Sequence, residues 1–258
     1  MIKAIFFDID GTLVSFGAPG MSDPLRDCLD ELRAKGVKLF ISSGRHVLVM
    51  NNINDYPFDG YIAMNGALTI FEGEVIDHHP LPVDISLQIA RMTRERRVPC
   101  WSFADTVCGI NFEDERTREV SRTLNFFPDR FLDLEEVARR HKVYQYTMYM
   151  TVEEERKYLH PVLKGVEYPR WHPYFADIVP GGLSKSYGAS LIMERIGVGP
   201  EECMAFGDGG NDIPMLRHVG TGVAMANAPD EVKAAADYVT GPVDEDGVVT
   251  ALRHFGVI

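Results

Sequence analysis

The sequence predicts an α/β protein whose parallel-sheet core is interrupted by an inserted module of α+β character. Three observations carry this reading. Short apolar runs ending in polar residues alternate with helical stretches at both ends of the chain. Between about residues 83 and 180 that rhythm gives way to hairpin patterns. The 258 residues are 45% hydrophobic, enough for a sizeable core and a second module.

Taken in order, Ala4 to Phe7 reads as a buried parallel strand ending in acidic residues and Gly11. A helix follows, with Ser22 as N-cap, Pro24 in the first turn, and Leu25, Cys28, Leu29 and Leu32 on one face; Gly36 closes it. Val37 to Ile41 is a second strand, ending at Ser42-Ser43-Gly44-Arg45, where a further helix is expected to open. Tyr61 to Met64 is a third strand and ends at Asn65-Gly66. Leu68 to Phe71 and Val75 to Asp77 form a hairpin about Glu72-Gly73. In the module, a helix spans Val83 to Arg97, Trp101 to Ala104 pairs with Val107 to Asn111, and Tyr144 to Thr151 is a strand. The core resumes with a helix from Ser184 to Ile196, a strand from Cys203 to Phe206, a helix near Pro214 to His218, and a strand from Val223 to Met225. The expected division is therefore a core of residues 1–82 and 181–258 around a module of residues 83–180. Open sheets of this kind bind ligands beyond the carboxyl ends of their strands.

Composition narrows the function. The net charge is −12, with no run of lysine or arginine, which argues against a nucleic-acid partner. The four cysteines, Cys28, Cys100, Cys108 and Cys203, show no C-x-x-C pair and read as small buried hydrophobes in a reducing compartment. The N-terminus charges too early for a secretory signal, and no apolar run approaches the ~20 residues of a membrane span. The expectation is a soluble, cytoplasmic protein without a membrane partner; the oligomeric state is not legible.

Two segments concentrate carboxylates. In Phe7-Asp8-Ile9-Asp10-Gly11-Thr12, extended alternation puts Asp8 and Asp10 on one side and Ile9 in the core. Two such close carboxylates repel unless a cation or a shared proton intervenes. An EF-hand loop needs its glycine two positions later, so calcium-loop chemistry is excluded. Phe206-Gly207-Asp208-Gly209-Gly210-Asn211-Asp212 also follows an apolar strand and offers hard oxygen ligands suited to Mg²⁺. It is no dinucleotide fingerprint, since Asp212 stands where the third glycine belongs. Alone it also suits a tight turn with solvated charges. Ser43 and Gly44 could seat a phosphate at a helix N-terminus, although Ser-Gly is a common turn. Lys185, alone, reads as a solvated lysine. The eight histidines show no metal-ligand spacing, so no zinc is assigned.

Together, F-F-D-I-D-G-T-L, S-G-R, L-S-K and G-D-G-G-N-D resemble, in order and spacing, the haloacid dehalogenase-like hydrolase superfamily and its Cof-type phosphatases. The run Gly222 to Pro229 and Asp246-Gly247-Val248 fit the same group. The resemblance implies a Rossmann-like core with an inserted cap, and a phosphatase acting through a covalent aspartyl-phosphate. It implies Asp8 as nucleophile, Asp10 as general acid and then base, and Mg²⁺ between Asp8, the Asp10 backbone carbonyl and Asp208, with Asp212 orienting that shell. Ser43, Gly44, Lys185 and Asn211 would hold the phosphoryl group. Arg45, Trp171 and His172 are candidate substrate contacts; Trp171, His172, Tyr174 and Phe175 form a polar-aromatic cluster whose stronger reading is packing within the cap. The expected substrate is a small phosphomonoester such as a sugar phosphate. A phosphohexomutase of the same family and a non-catalytic phosphate-ligand sensor are the rival readings; retention of both Asp8 and Asp10 weighs against the sensor.

Overall fold

A computed structural model of the chain describes residues 1–53, 55–124, 127–170 and 172–258. The chain divides into two compact units, Met1–His78 with Leu183–Ile258, and His79–Gly182.

The first unit begins with strand β1 (Ala4–Phe7), all four residues fully buried. Helix α1 (Asp23–Ala34) starts where Ser22 accepts the Leu25 N–H, and buries Leu25, Cys28, Leu29 and Leu32. Strands β2 (Lys38–Ser42) and β3 (Gly60–Ala63) follow, then the hairpin β4 (Leu68–Phe71) and β5 (Glu74–His78).

In the second unit come α2 (Val83–Arg96), β6 (Cys100–Ala104), β7 (Cys108–Ile110), α3 (Glu115–Leu124), α4 (Leu134–Arg140), β8 (Val143–Met148), α5 (Val152–Tyr158), β9 (Val166–Glu167) and β10 (Ala176–Pro180). The chain then returns to the first unit through α6 (Lys185–Ile196), β11 (Cys203–Gly207), α7 (Ile213–Leu216), β12 (Thr221–Ala224), α8 (Asp230–Lys233), β13 (Tyr238–Val239) and α9 (Gly247–His254).

The first unit's sheet has the order β13-β12-β11-β1-β2-β3-β4-β5. It is parallel from β13 to β3, and the hairpin adds an antiparallel edge. One side of it buries Phe6, Phe40, Ile62, Ala205 and Met215 with Ala189 and Ile192 of α6. Phe6 stacks on Phe40 at 5.2 Å and Phe7 on Phe206 at 5.3 Å between ring centres. Burying each such ring or branched side chain stabilises by about 1.5–3 kcal/mol.

The second unit is an antiparallel sheet, β7-β6-β8-β10-β9. Strand alternation sorts its faces. Cys100, Tyr146, Met148 and Ile178 pack with Ile85 and Ile89 of α2 and Leu134 and Val137 of α4. Trp101, Phe103, Gln145, Thr147 and Asp177 occupy the alternate positions, where Thr147 donates to Asp177 at 2.5 Å.

The α/β class and the order along the chain of β1 to β5, β11 and β12 are as the patterns predict, while edge strand β13 is not predicted by them. Strand ends shift by one to three residues. Several elements carry no readable period. In α3 the described buried positions are Thr117, Val120 and Ser121, so polar residues occupy much of its inner face. Strand β10 carries Asp177 and ends in Pro180, both poor strand residues. Among the described residues, no helix is long and apolar enough to cross a membrane.

Candidate active site

Register brings the motif segments together. Phe7 of β1 pairs with Phe206 of β11 on one side and Ile41 of β2 on the other. The residues after these strands, Asp8, Asp208 and Ser43, therefore emerge side by side at the carboxyl edge. The Asp8 N–H donates to the Phe206 carbonyl at 3.0 Å. The chain then turns sharply, with the N–H groups of Leu13 and Val14 both donating to the Ile9 carbonyl, at 3.0 and 2.9 Å. Ile9 is fully buried, as the alternation requires. Gly11 takes φ +76°, and a Cβ there would collide with the Asp208 carboxylate. Glycine alone lets the two acidic loops approach this closely.

Asp8, Asp208 and Asp212 each present a carboxylate oxygen within 4.8 Å of the others. Lys185, fully buried, reaches between two of them: its Nζ donates to Asp8 Oδ1 at 2.7 Å and to Asp212 Oδ1 at 2.6 Å. Burial works against the lysine's charge, but Asp212 and Asp8 together keep its pKa above the usual value. Asp212 is committed on both oxygens, since Oδ2 accepts the N–H groups of Asp208 at 3.1 Å and Gly209 at 2.9 Å. Burial pushes the Asp8 carboxyl up to about 8, with Lys185 pulling it down and Asp212 and Asp208 pushing it further up. Asp208 is pushed up to about 6, by burial first and then by Asp212. One lysine thus leaves the cluster short of positive charge, and its hard oxygens fit a divalent cation.

Asp10 lies beyond this cluster, in a two-pronged ion pair. Arg45 Nε donates to Asp10 Oδ2 at 2.7 Å and Nη2 donates to Asp10 Oδ1. The guanidinium is braced by the Val49 carbonyl at 3.2 Å and Asn52 Oδ1 at 3.3 Å. Arg45, a substrate candidate in the sequence, is here a partner of Asp10. Buried Ser43 spends its N–H on the Ile62 carbonyl, while its hydroxyl accepts the Arg45 N–H at 3.1 Å. No α-helix opens after Gly44. A single 3₁₀ turn at Val47–Val49, capped by His46, takes its place. The β-branched valines and the following Asn51 and Asn52 are poor material for continuing a helix. Ser43 and the Gly44 backbone therefore have no α-helix terminus behind them. Asn211 Nδ2 donates to Asn65 Oδ1 at 2.9 Å, and both amides lie beside Gly44.

Of the remaining predicted residues, Trp171 lies outside the described residues. His172 belongs to the second unit, where its ring stacks on Phe175 with centres 5.1 Å apart. Three contributors escape the motif reading. Thr12 donates to Asp208 Oδ1 at 3.3 Å, and Asn227 Nδ2 donates to Asp208 Oδ2 at 3.2 Å and to the Gly11 carbonyl at 2.9 Å. Asn65 is the third. Each sits in a run noticeable in the sequence, yet only proximity assigns it a partner.

Comparison with known proteins bears on the same residues. The family model described as haloacid dehalogenase-like hydrolase matches residues 5–252. YkrA of Bacillus subtilis (strain 168) is 32% identical over 258 residues, covering 99% of this chain and 98% of that one. The fold is similar to the phosphatase BT1666 of Bacteroides thetaiotaomicron, with TM-score 0.89, 37% identity, and 100% of this chain and 96% of that chain covered. It is also similar to the subclass IIB sugar phosphatase BT4131, with TM-score 0.87, 40% identity, and 99% and 100% covered. With the matched family spanning both motif-bearing ends and the inserted unit, the chain belongs to the haloacid dehalogenase-like hydrolases and is a phosphoric monoester hydrolase.

Proposed function

We propose that the protein hydrolyses small phosphomonoesters, sugar phosphates foremost, in two steps through an aspartyl-phosphate on Asp8, with Mg²⁺ as cofactor. The observation that carries this reading is the set of buried Asp8 and Asp212 and half-buried Asp208 around Lys185, with Asp10 standing just outside it. Asp8 has one oxygen on Lys185, which leaves Oδ2 for attack on phosphorus. In the first step the Asp8–phosphorus bond forms, the ester P–O bond breaks, and Asp10 gives its proton to the leaving oxygen. In the second, water attacks phosphorus while Asp10 takes its proton. The Asp8–phosphorus bond then breaks, releasing orthophosphate and the free carboxylate. To exchange protons, Asp10 must release at least one prong of Arg45.

Asp8, Asp208 and the Asp10 carbonyl are the groups assigned to hold Mg²⁺, which would supply the positive charge that an anionic nucleophile and an anionic ester both need. Asp212, already saturated by protein donors, orients Lys185 and the Asp208 loop. Ser43, Gly44, Lys185 and Asn211 surround the phosphoryl oxygens, and residues 83–180 select the ester. The sugar phosphatase BT4131 supports sugar phosphates as the class.

The test is phosphate release over a panel of phosphorylated metabolites, with Mg²⁺ and after exhaustive chelation. Mg²⁺-dependent release that Asp8→Asn abolishes is expected. Full activity after chelation removes Asp208 from the mechanism, and activity in Asp8→Asn removes the covalent step. Isomerisation of a hexose phosphate without release would identify a mutase instead.

A further inference from the structure

The turn after β3 is strained, and its strain has a direction. Met64, Asn65 and Gly66 all take positive φ, at 53°, 54° and 98°. That region favours glycine and tolerates asparagine, but buried Met64 has neither excuse. The surroundings hold the turn in place. The Met64 N–H donates to the Arg45 carbonyl at 3.2 Å, and the Asn65 N–H to the Ser43 carbonyl at 3.1 Å. Gly66 lies so close to Ser184 that a Cβ would collide with its carbonyl. One short turn thus touches the segment bearing Ser43 and Gly44 and the residue preceding Lys185.

What the turn delivers is the Asn65 side chain. A Cβ at Gly44 would lie 3.4 Å from Asn65 Nδ2, 3.5 Å from Asn65 Oδ1 and 3.8 Å from Asn211 Nδ2, so the two amides overhang the same backbone. Asn211 donates to Asn65 Oδ1, which orients the Asn65 amide. Its Nδ2 hydrogens then have no protein acceptor among the described residues. An asparagine serving only the turn would have no need of this second, oriented amide.

We infer that Asn65 is a phosphate-binding residue, whose Nδ2 donates to an oxygen of the phosphoryl group seated on Ser43 and Gly44. The assignment rests on the phosphatase reading for its turnover arm alone. Orthophosphate binding tests it independently.

The experiment compares the full-length protein with Asn65→Gly and Asn65→Asp in Mg²⁺. It measures orthophosphate Kd by calorimetry, kcat/KM for p-nitrophenyl phosphate, and Tm. Glycine keeps the positive-φ backbone and removes the amide. Aspartate keeps the shape and still accepts from Asn211, but it replaces the donor by a negative charge. Both variants should retain the wild-type Tm closely. Asn65→Gly should weaken orthophosphate by about tenfold or more and lower kcat/KM at least as much, as loss of a hydrogen bond to a charged group requires. Asn65→Asp should be worse on both, which a purely structural role would not produce. Kd and kcat/KM for Asn65→Gly within about twofold of wild type would overturn the assignment. So would an aspartate variant no worse than the glycine one, or a wild type that binds no orthophosphate. A wild type that binds orthophosphate yet cleaves no ester refutes the phosphatase reading, and the calorimetry still decides Asn65.

Discussion

Lys185 is fully buried with its Nζ on Asp8 and Asp212, so Lys185→Met removes a positive charge from among three carboxylates. Methionine fills much of the volume, and the cost is therefore electrostatic. Breaking a buried pair by deleting one partner costs about 3–5 kcal/mol. At about 2–4 °C per kcal/mol for a chain near this size, Tm should fall by roughly 6–20 °C. The structure also says which partner is dispensable. Burial and the neighbouring carboxylates already push Asp8 up to about 8, so near neutral pH the fold favours its uncharged form. Asp8→Asn supplies that form permanently and leaves Lys185 its bond to Asp212. Its Tm without metal should stay near or above wild type. The two variants should thus be equally inactive and oppositely stable. Scanning calorimetry in chelator, with phosphate-release assays alongside, measures both properties. The Lys185→Met deficit should shrink as pH falls from about 8 to about 5, because protonation of the carboxylates replaces the missing charge. If Asp8→Asn lowers Tm as much as Lys185→Met does, the lysine is not the cluster's counter-charge.

Three further outcomes are expected. Asp10→Asn should lose roughly a hundredfold to ten-thousandfold in kcat/KM on sugar phosphates and much less in the first step on an activated aryl phosphate, read by rapid quench; equal losses would deny Asp10 the acid role. Folded Asp8 holds a proton up to about 8, whereas its ordinary value is 3.8, so the metal-free fold loses stability as pH rises between those values. Magnesium held by Asp8 would compete with that proton, and the Tm gain on adding it should be larger at about pH 8 than at about pH 6, with a flat or opposite trend contradicting the assignment. Gly11→Ala would meet both φ +76° and the Asp208 carboxylate, so it should cost more than about 1 kcal/mol in chemical denaturation and weaken Mg²⁺ activation; a variant activated like wild type would show that Asp208 need not sit there.

Local sequence patterns determined the motif segments and the ends of the first helix. The D-x-D-G-T and G-D-G-G-N-D segments each follow an apolar strand, and α1 begins and ends where Ser22 and Gly36 signal. These features depend on neighbours a few residues away, and the chemistry of adjacent side chains expresses them directly. Tertiary structure alone decided who pairs with whom. Lys185, which reads in isolation as a solvated lysine, is buried on a carboxylate 177 residues away. Arg45, a candidate substrate contact, grips Asp10 across 35 residues, and Asn211 reaches Asn65 across 146. The helix expected after Gly44 shortened to one turn, leaving the loop to carry Arg45 back to Asp10. Such pairings follow from the register of β1 between β2 and β11, which sets the strands' polar ends side by side. No local period encodes that register. It comes from burying all the apolar faces at once, and the charges left at the sheet's edge must then find one another.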